Sequence, residues 1–322
     1  MRFNIGPSPT LKELPLWAWL LWKFYTSILA VAYSTNIFLV NRLPDNWALI
    51  PDTFYMRCLV GPLFGPIRIR RLSRVYKEKS PQEIAELSEG SVQYRIKFNA
   101  IISRSLTAPL DVYAAQNSLY GEEHLQAALK ERRGVMLLQA HYGNFYAPMC
   151  LLPQKGYDVT VIGVEVTPPP LEKLTKNVLK RFGTTRSVLG QGGGKVALKV
   201  FRRNGIFGAF FDIVPPGKRD EIVDAPLGDA GMSIYEGPAR LAAHCNVAVV
   251  PAISYCTTPF HSETYIEPAF PQVQGANEEE TIQLMIKQWM DWFEPKLRAK
   301  PEQWWSWPYF TIREMPKQNS GS

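Results

Sequence analysis

Two side chains stand where the sequence pattern leaves room for chemistry. His141 follows the apolar run Val135-Met136-Leu137-Leu138 and leads into Gly143 and Asn144. Asp212 closes a second apolar run, 206–211 (IFGAFF). An imidazole can take a proton from a hydroxyl near neutral pH. Gly143 lets a ligand approach the backbone, and N–H groups at the start of a following helix can stabilise a developing oxyanion. A lone histidine at a strand end also serves as a hydrogen-bonded structural group, so the pattern alone leaves both uses open.

Other candidates carry less. The stretch Gly190-Gln191-Gly192-Gly193-Gly194-Lys195 suggests a phosphate loop. Walker spacing, however, needs four residues between the first glycine and Gly-Lys, then Ser or Thr, and neither condition holds. It reads as a flexible turn before a helix, with Lys195 left free to meet an anionic headgroup. His124 falls in a surface helix, His244 near a helix end, and His261 in a loop with Thr257 and Thr258. Trp289, Trp292, Trp304, Trp305 and Trp307 read as packing. No Gly-x-Ser-x-Gly elbow is present, which argues against a soluble esterase. The four cysteines show no CxxC or CxxH pair, so neither a zinc site nor a disulfide framework is expected.

The elements that must hold these residues alternate. Ser80-Pro81-Gln82-Glu83 is a capping box with proline at the first helical position. A helix over 122–132 ends at Gly134, suited to a left-handed cap, before the short strand 135–138. A helix is expected from Phe145, a strand over 157–164, a helix over 171–182 and a short strand over 187–189. A helix over 195–203 and the turn Asn204-Gly205 then lead into the strand ending at Asp212. Ser233-Ile234-Tyr235-Glu236 reads as another capping box, opening a helix through His244. A strand over 247–253 and a closing helix over 278–298 complete the pattern. Such alternation implies an α/β fold with a mainly parallel central sheet flanked by helices. Ligands of such sheets bind beyond the carboxyl ends of the strands, where both His141 and Asp212 fall.

The chain has 322 residues, 46% hydrophobic and 20% charged, which excludes intrinsic disorder. Its net charge of +7 is milder than nucleic-acid binders show, so no nucleic-acid partner is expected; it suits an anionic membrane face or an acidic partner. The stretch 14–40 (LPLWAWLLWKFYTSILAVAYSTNIFLV) is too long and aromatic for a cleaved signal peptide. Trp17, Trp19, Trp22, Phe24 and Tyr25 are types that settle at a bilayer interface, while Lys23 opposes a spanning helix. A membrane-associated helix is expected, with crossing and interfacial arrangements both open. Arg68, Arg70, Arg71, Arg74, Lys77 and Lys79 could lay a basic side on anionic headgroups. The expected division is an anchor helix over 1–45, a helical membrane-facing segment over 46–120, and an α/β domain over 121–322.

The stretch GEEHLQAALKERRGVMLLQAHYGNFY resembles the core of the bacterial lipid A lauroyl/myristoyl (late) acyltransferases, and is similar to the related phosphatidylinositol-mannoside acyltransferases. The likeness continues through Phe211-Asp212, through Gly237-Pro238-Ala239-Arg240-Leu241-Ala242, and through Pro301-Glu302-Gln303-Trp304. It therefore spans most of the chain. The resemblance implies a glycerolipid-acyltransferase-like fold at the cytoplasmic face of a bacterial inner membrane. It implies transfer of a fatty chain from acyl carrier protein or coenzyme A thioester to a glycolipid or lysolipid. His141 would be the general base, Gly143 and Asn144 the oxyanion donors, and Arg240, Lys195, Arg70 and Arg71 the cations for phosphates or carrier. No metal or redox cofactor is implied. One position departs: the family motif has Asp or Glu five residues after the histidine, and here Tyr146 stands there. Either Asp212 or another acid such as Glu165 replaces it, or the chain is a weak or inactive lipid-binding relative.

Overall fold

Helices fill the first third of the chain. They are α1 (Leu16–Val40), α2 (Asp45–Phe54), a π-helical turn Tyr55–Val60, α3 (Gly61–Val75), α4 (Pro81–Arg104) and α5 (Leu110–Gln116). The computed structural model describes residues 16–164, 169–189, 192–215 and 217–313. The side chains of Trp17, Trp19, Trp22, Lys23 and Tyr25 lie outside the described residues, as do Glu165, Gly190 and Gln191. α4 starts where the capping box predicts: the Glu83 N–H donates to Ser80 Oγ and the Ser80 N–H to Glu83 Oε2. No helix among the described residues is long and apolar enough to cross a membrane.

Strands and helices then alternate as β1 (Asn117–Tyr120), α6 (Glu122–Leu129), β2 (Val135–Gln139), α7 (Ala147–Gln154), β3 (Val159–Gly163), α8 (Pro169–Phe182), β4 (Thr185–Val188), α9 (Gly193–Arg202) and β5 (Ile206–Phe210). β6 (Ile222–Leu227), β7 (Ala230–Tyr235), α10 (Gly237–Cys245), β8 (Ala248–Thr258), β9 (His261–Ile266), α11 (Glu278–Ala299) and β10 (Thr311–Arg313) follow. The central sheet has the order β1-β9-β8-β2-β5-β3-β4, mainly parallel, with β9 antiparallel to β8. One face packs on α9, α10 and α11 through Phe201, Ala239, Trp289 and Phe293; the other packs on α6, α7 and α8 through Leu125, Leu152 and Leu179, and α1 and α4 pack with α7 and α8 through Tyr33, Phe98, Leu151 and Phe182. Burial on both faces is why β2 is buried at every position and apolar from Val135 to Leu138 rather than alternating.

Two expectations are corrected here. Ser233 does not open a helix. It lies in β7, which pairs with β6 and β10 in a separate antiparallel sheet, and its hydroxyl donates to Asp224. The run Gly231-Met232-Ser233-Ile234 pairs more favourably than it coils, and Pro238 then sets the start of α10 at Gly237. The basic run after Pro66, expected to lay one basic side on anionic headgroups, is split between inside and outside. Arg68 is buried with its Nε donating to Ser88, and Arg71 turns inward to the Trp307 carbonyl, leaving Arg70, Arg74 and Lys77 outside.

α1 and α2 are joined by a buried polar pair in which Asn36 Nδ2 donates to Asp52 Oδ1. Burial pushes the Asp52 carboxyl up to about 7, against the opposing Asn36 hydrogen bond. Asn36 Oδ1 and Asp52 Oδ2 are both buried acceptors without a partner among the described residues, so a proton on Oδ2 supplies a donor where two acceptors otherwise go unsatisfied. A raised folded-state pKa means the contribution is full below the unfolded value near 3.9 and is lost as pH rises toward 7. Asp52→Asn is therefore expected to stabilise the protein at pH 8, on the order of 2–4 kcal/mol, and little at pH 4. Urea midpoints of both proteins at the two pH values measure this. Equal differences at both would remove the assignment.

Candidate active site

β2 and β5 lie side by side and parallel, with Val135 opposite Ile206 and Gln139 opposite Phe210. Carrying that register two residues past the strand ends brings His141 opposite Asp212. The ladder itself extends the same way: the Phe211 N–H donates to the Gln139 carbonyl, and the His141 N–H donates to Asp212 Oδ2 at 3.0 Å. The His141 ring then folds over so that Nδ1 sits 2.7 Å from Asp212 Oδ1. The site is thus a consequence of sheet register.

Asp212 is fully buried, and both of its oxygens accept hydrogen bonds. Oδ2 accepts from the His141 backbone, from Trp304 Nε1 at 2.7 Å and from Ser306 Oγ at 2.7 Å, leaving Oδ1 for the imidazole. Burial is the largest influence on this carboxyl and opposes its ionisation. The charge and hydrogen bond of His141, with the Ser306 and Trp304 donors, outweigh it and hold the group below the ordinary carboxylate range. An ionised acid on Nδ1 fixes the N–H there, so Nε2 presents its lone pair. Nε2 makes no hydrogen bond to the described residues, and the His141 side chain is 20% exposed. Phe210 stacks on the ring at 4.4 Å, Phe145 meets it edge-on at 4.9 Å, and Trp305 lies 6.0 Å away. A base held this way can deprotonate a hydroxyl delivered to the open side of the ring.

The carboxyl-terminal segment braces this arrangement. The Trp305 N–H donates to the His141 carbonyl, the Gly143 N–H donates to the Gln303 carbonyl, and Tyr142 and Trp304 form an antiparallel bridge. Gln303 grips Cys256 through both its backbone N–H and carbonyl. From α4, the Tyr94 hydroxyl donates to the Gly143 carbonyl at 2.9 Å, and Arg95 bonds the Trp305 carbonyl and stacks on its ring.

Several sequence expectations change in this light. The Gly143 N–H is committed to Gln303, so Gly143 is not an oxyanion donor here; its positive φ of 56° and its approach to β8 explain the glycine instead. The Asn144 amide is buried and donates to Asn117 and Ser262, tying the loop to β1 and β9. Tyr146 lies just before α7 with its hydroxyl 3.1 Å from Thr175 Oγ1, turned away from His141, and its ring packed on Phe145 and Phe98. Arg240 is held by Glu236, Glu278 and Glu279, each at 2.8–2.9 Å, which leaves its guanidinium committed to carboxylates rather than to an anionic ligand. Lys195 and Arg70 are exposed, and Arg71 is turned toward Trp307 and Phe310. Among the described residues no group of three or more His, Cys, Asp or Glu side chains could hold a metal ion.

Sequence reasoning reads Trp304 as packing and does not single out Ser306, yet both donate to Asp212. Trp304→Phe keeps the ring packing and removes one donor to a buried charge. It is expected to cost about 1.5–3 kcal/mol and to raise the Asp212 titration. Denaturant unfolding at neutral and acidic pH checks this, since loss of a mere packing contact would not depend on pH.

Comparison with curated proteins returns no match. Residues 22–307, from within α1 through the Trp304–Trp307 brace, match the family described as bacterial lipid A biosynthesis acyltransferase. His141, Asp212 and the segment that holds them all fall inside the matched region. The chain belongs to the bacterial lipid A biosynthesis acyltransferase family.

Proposed function

We propose that the protein transfers a fatty acyl chain from a thioester on acyl carrier protein or coenzyme A to a hydroxyl of a glycolipid or lysolipid, with His141 as general base. The observation that carries this reading is the 2.7 Å contact between His141 Nδ1 and the buried Asp212 carboxylate. The acceptor hydroxyl gives its proton to Nε2 as its oxygen bonds the thioester carbonyl carbon. The tetrahedral oxyanion is held by backbone N–H groups that follow Gly143 at the approach to α7. Collapse breaks the carbon–sulfur bond, and the imidazolium returns the proton to the departing thiolate. Asp212 stabilises that imidazolium, the part given by the family motif to the acid that Tyr146 replaces. General-base help of this kind contributes about 10²–10⁴-fold, with positioning and oxyanion stabilisation adding to it. The reaction as drawn calls for no metal or redox cofactor.

Because the acceptor is a lipid, we place the protein at the cytoplasmic face of a bacterial inner membrane, where thioester donors and lipid acceptors meet. Purified protein incubated with acyl carrier protein thioester, or acyl coenzyme A, and candidate lipid acceptors tests the whole reading. Saturable transfer that His141→Ala abolishes, with folding and vesicle binding retained, is the expected result. Binding of acyl ligand without turnover would make the chain a non-catalytic lipid-binding relative, and full activity in His141→Ala would remove the base.

A further inference from the structure

Three arginines converge on the carboxyl-terminal brace with no carboxylate to pair with. Arg68 and Arg95 are buried, at 4% and 5% exposure, and Arg71 is half-buried. Arg68 donates through Nε to Ser88 at 2.9 Å, Arg71 through Nη1 to the Trp307 carbonyl at 3.1 Å, and Arg95 through Nη2 to the Trp305 carbonyl. These acceptors are all neutral, and none of the three arginines makes an ion pair among the described residues. The nearby acids are already taken. Glu89, whose charge reaches Arg68, pairs with Arg57, and Asp212 behind the same segment is held by His141, Trp304 and Ser306.

An aromatic floor gathers the three cations in one place. Arg95 lies over the stacked rings of Trp305 and Tyr309, its guanidinium 4.8 Å and 5.4 Å from their centres. Tyr309 also interacts electrostatically with Arg68 and Arg71, and Arg71 meets the Phe310 ring at 5.2 Å. Trp305 and Tyr309 are only half-buried, so the cluster is not sealed. Burial, aided by the neighbouring Arg95 charge, lowers Arg68 to about 10, and burial likewise lowers Arg71 to about 10. Arg240 shows the reverse: hydrogen bonds from Glu279 and Glu236 hold it above its ordinary value. Guanidiniums that are desolvated side by side, with neutral acceptors alone, lack a counter-charge. Each keeps N–H donors beyond the one it uses, in a fork that matches phosphate oxygens.

We infer that Arg68, Arg71 and Arg95 form a subsite for a phosphate group carried by one of the two substrates. The Trp305 ring beneath Arg95 lies 6.0 Å from the His141 ring, so a phosphate bound there sets its carrier one indole away from the base. A purely structural brace accounts for the carbonyl contacts and not for the charge, because a neutral donor caps a carbonyl without the cost of desolvating a cation. Acidic side chains on a protein surface fit poorly, since two of the three cations are buried. The phosphopantetheine arm of a thioester donor and a phosphorylated acceptor headgroup offer the same chemistry. The inference rests on the acyl-transfer reading for the carrier of the phosphate, not for the subsite itself.

Inorganic phosphate is the first probe. The thermal midpoint of the full chain should rise with phosphate concentration, relative to chloride at equal ionic strength. Arg68→Met removes the charge and keeps most of the volume, and should weaken the phosphate dissociation constant about tenfold. Arg71 is only half-buried, so Arg71→Gln, with the same expected loss, keeps the test open if Arg68→Met does not fold. Arg74→Gln, at an exposed position on the same helix, should change it less than about twofold, which separates a built subsite from diffuse attraction. Calorimetry then identifies the carrier. A preference of about tenfold for 4′-phosphopantetheine over pantetheine marks the donor, and one for a short-chain lysophosphatidic acid over its monoacylglycerol marks the acceptor; either should vanish in the arginine variants. A midpoint indifferent to phosphate, an equal response in Arg68→Met and Arg71→Gln, or no preference for either phosphorylated compound overturns the inference. None of these measurements needs turnover, so phosphate binding in a chain that transfers no acyl group would overturn the acyl-transfer reading and leave the subsite standing.

Discussion

Asp212→Asn is expected to lower acyl transfer about 10³–10⁴-fold while the protein stays folded. The size follows from serine-protease triads, where the amide isostere of the orienting acid costs about 10⁴ in turnover by holding the wrong tautomer. Here the structure dictates how the amide would sit. The Oδ2 position receives three donors, from the His141 backbone, Trp304 and Ser306, so only the amide oxygen fits there. The NH₂ group is then forced into the Oδ1 position, 2.7 Å from Nδ1. Nδ1 must accept, the ring proton moves to Nε2, and the base loses the lone pair it needs. Turnover with a saturating thioester and ¹⁵N shifts of the His141 ring measure the two halves separately. Turnover within tenfold of the unsubstituted protein, with the tautomer switched, would remove Asp212 from the mechanism.

The same substitution alters the acid limb of stability. The Asp212 carboxyl titrates below its unfolded value near 3.9, so its contribution is complete above that pH and disappears as pH falls through the lower folded value. In Asp212→Asn that part of the acid transition should be absent. The Asp52 effect has the opposite sign and a different window, toward neutral pH, so the two do not overlap.

Much of the site could be read from the chain because its two key residues each end an apolar run. Once β2 and β5 are taken as parallel neighbours, His141 and Asp212 must share an edge. What the pattern could not supply is everything held by distant partners. Trp304 and Ser306 reach Asp212 across more than ninety residues, and tryptophan in an aromatic tail signals packing before it signals hydrogen bonding. Arg240 reads as a free cation because Glu278 and Glu279 approach it from α11, nearly forty residues on. The Ser-x-x-Glu pattern at Ser233 is local and correct in type. It loses because β6 and β10 offer a full ladder on either side of it. The small sheet formed by β6, β7 and β10 lay outside the α/β alternation that guided the reading.

Gly143→Ala is the second substitution expected to have a large effect, and it acts on the scaffold. Gly143 has a φ of 56°, and a Cβ built there would lie 1.8 Å from the Ser254 carbonyl oxygen and 2.8 Å from the Tyr255 Cα. Those atoms are backbone of β8, and β8 cannot yield. It pairs with β2 on one side and β9 on the other, and Gln303 clamps Cys256 beyond the contact. The loop cannot yield either, since Tyr94 and Gln303 hold both peptide groups of Gly143. The expected cost is about 4 kcal/mol or more, joining left-handed strain to a backbone collision. Gly156→Ala separates the two contributions. Gly156 has a φ of 89° with nothing within 4 Å of an added Cβ, so it carries only the strain, about 1 kcal/mol. Thermal and denaturant unfolding of both variants decide the matter. If Gly143→Ala costs no more than Gly156→Ala, then β8 is not pressed against the His141 loop and the site is less rigid than its hydrogen bonds imply. If it costs several times as much, the glycine is needed because strand and His141 loop touch backbone to backbone, which fixes the imidazole in place.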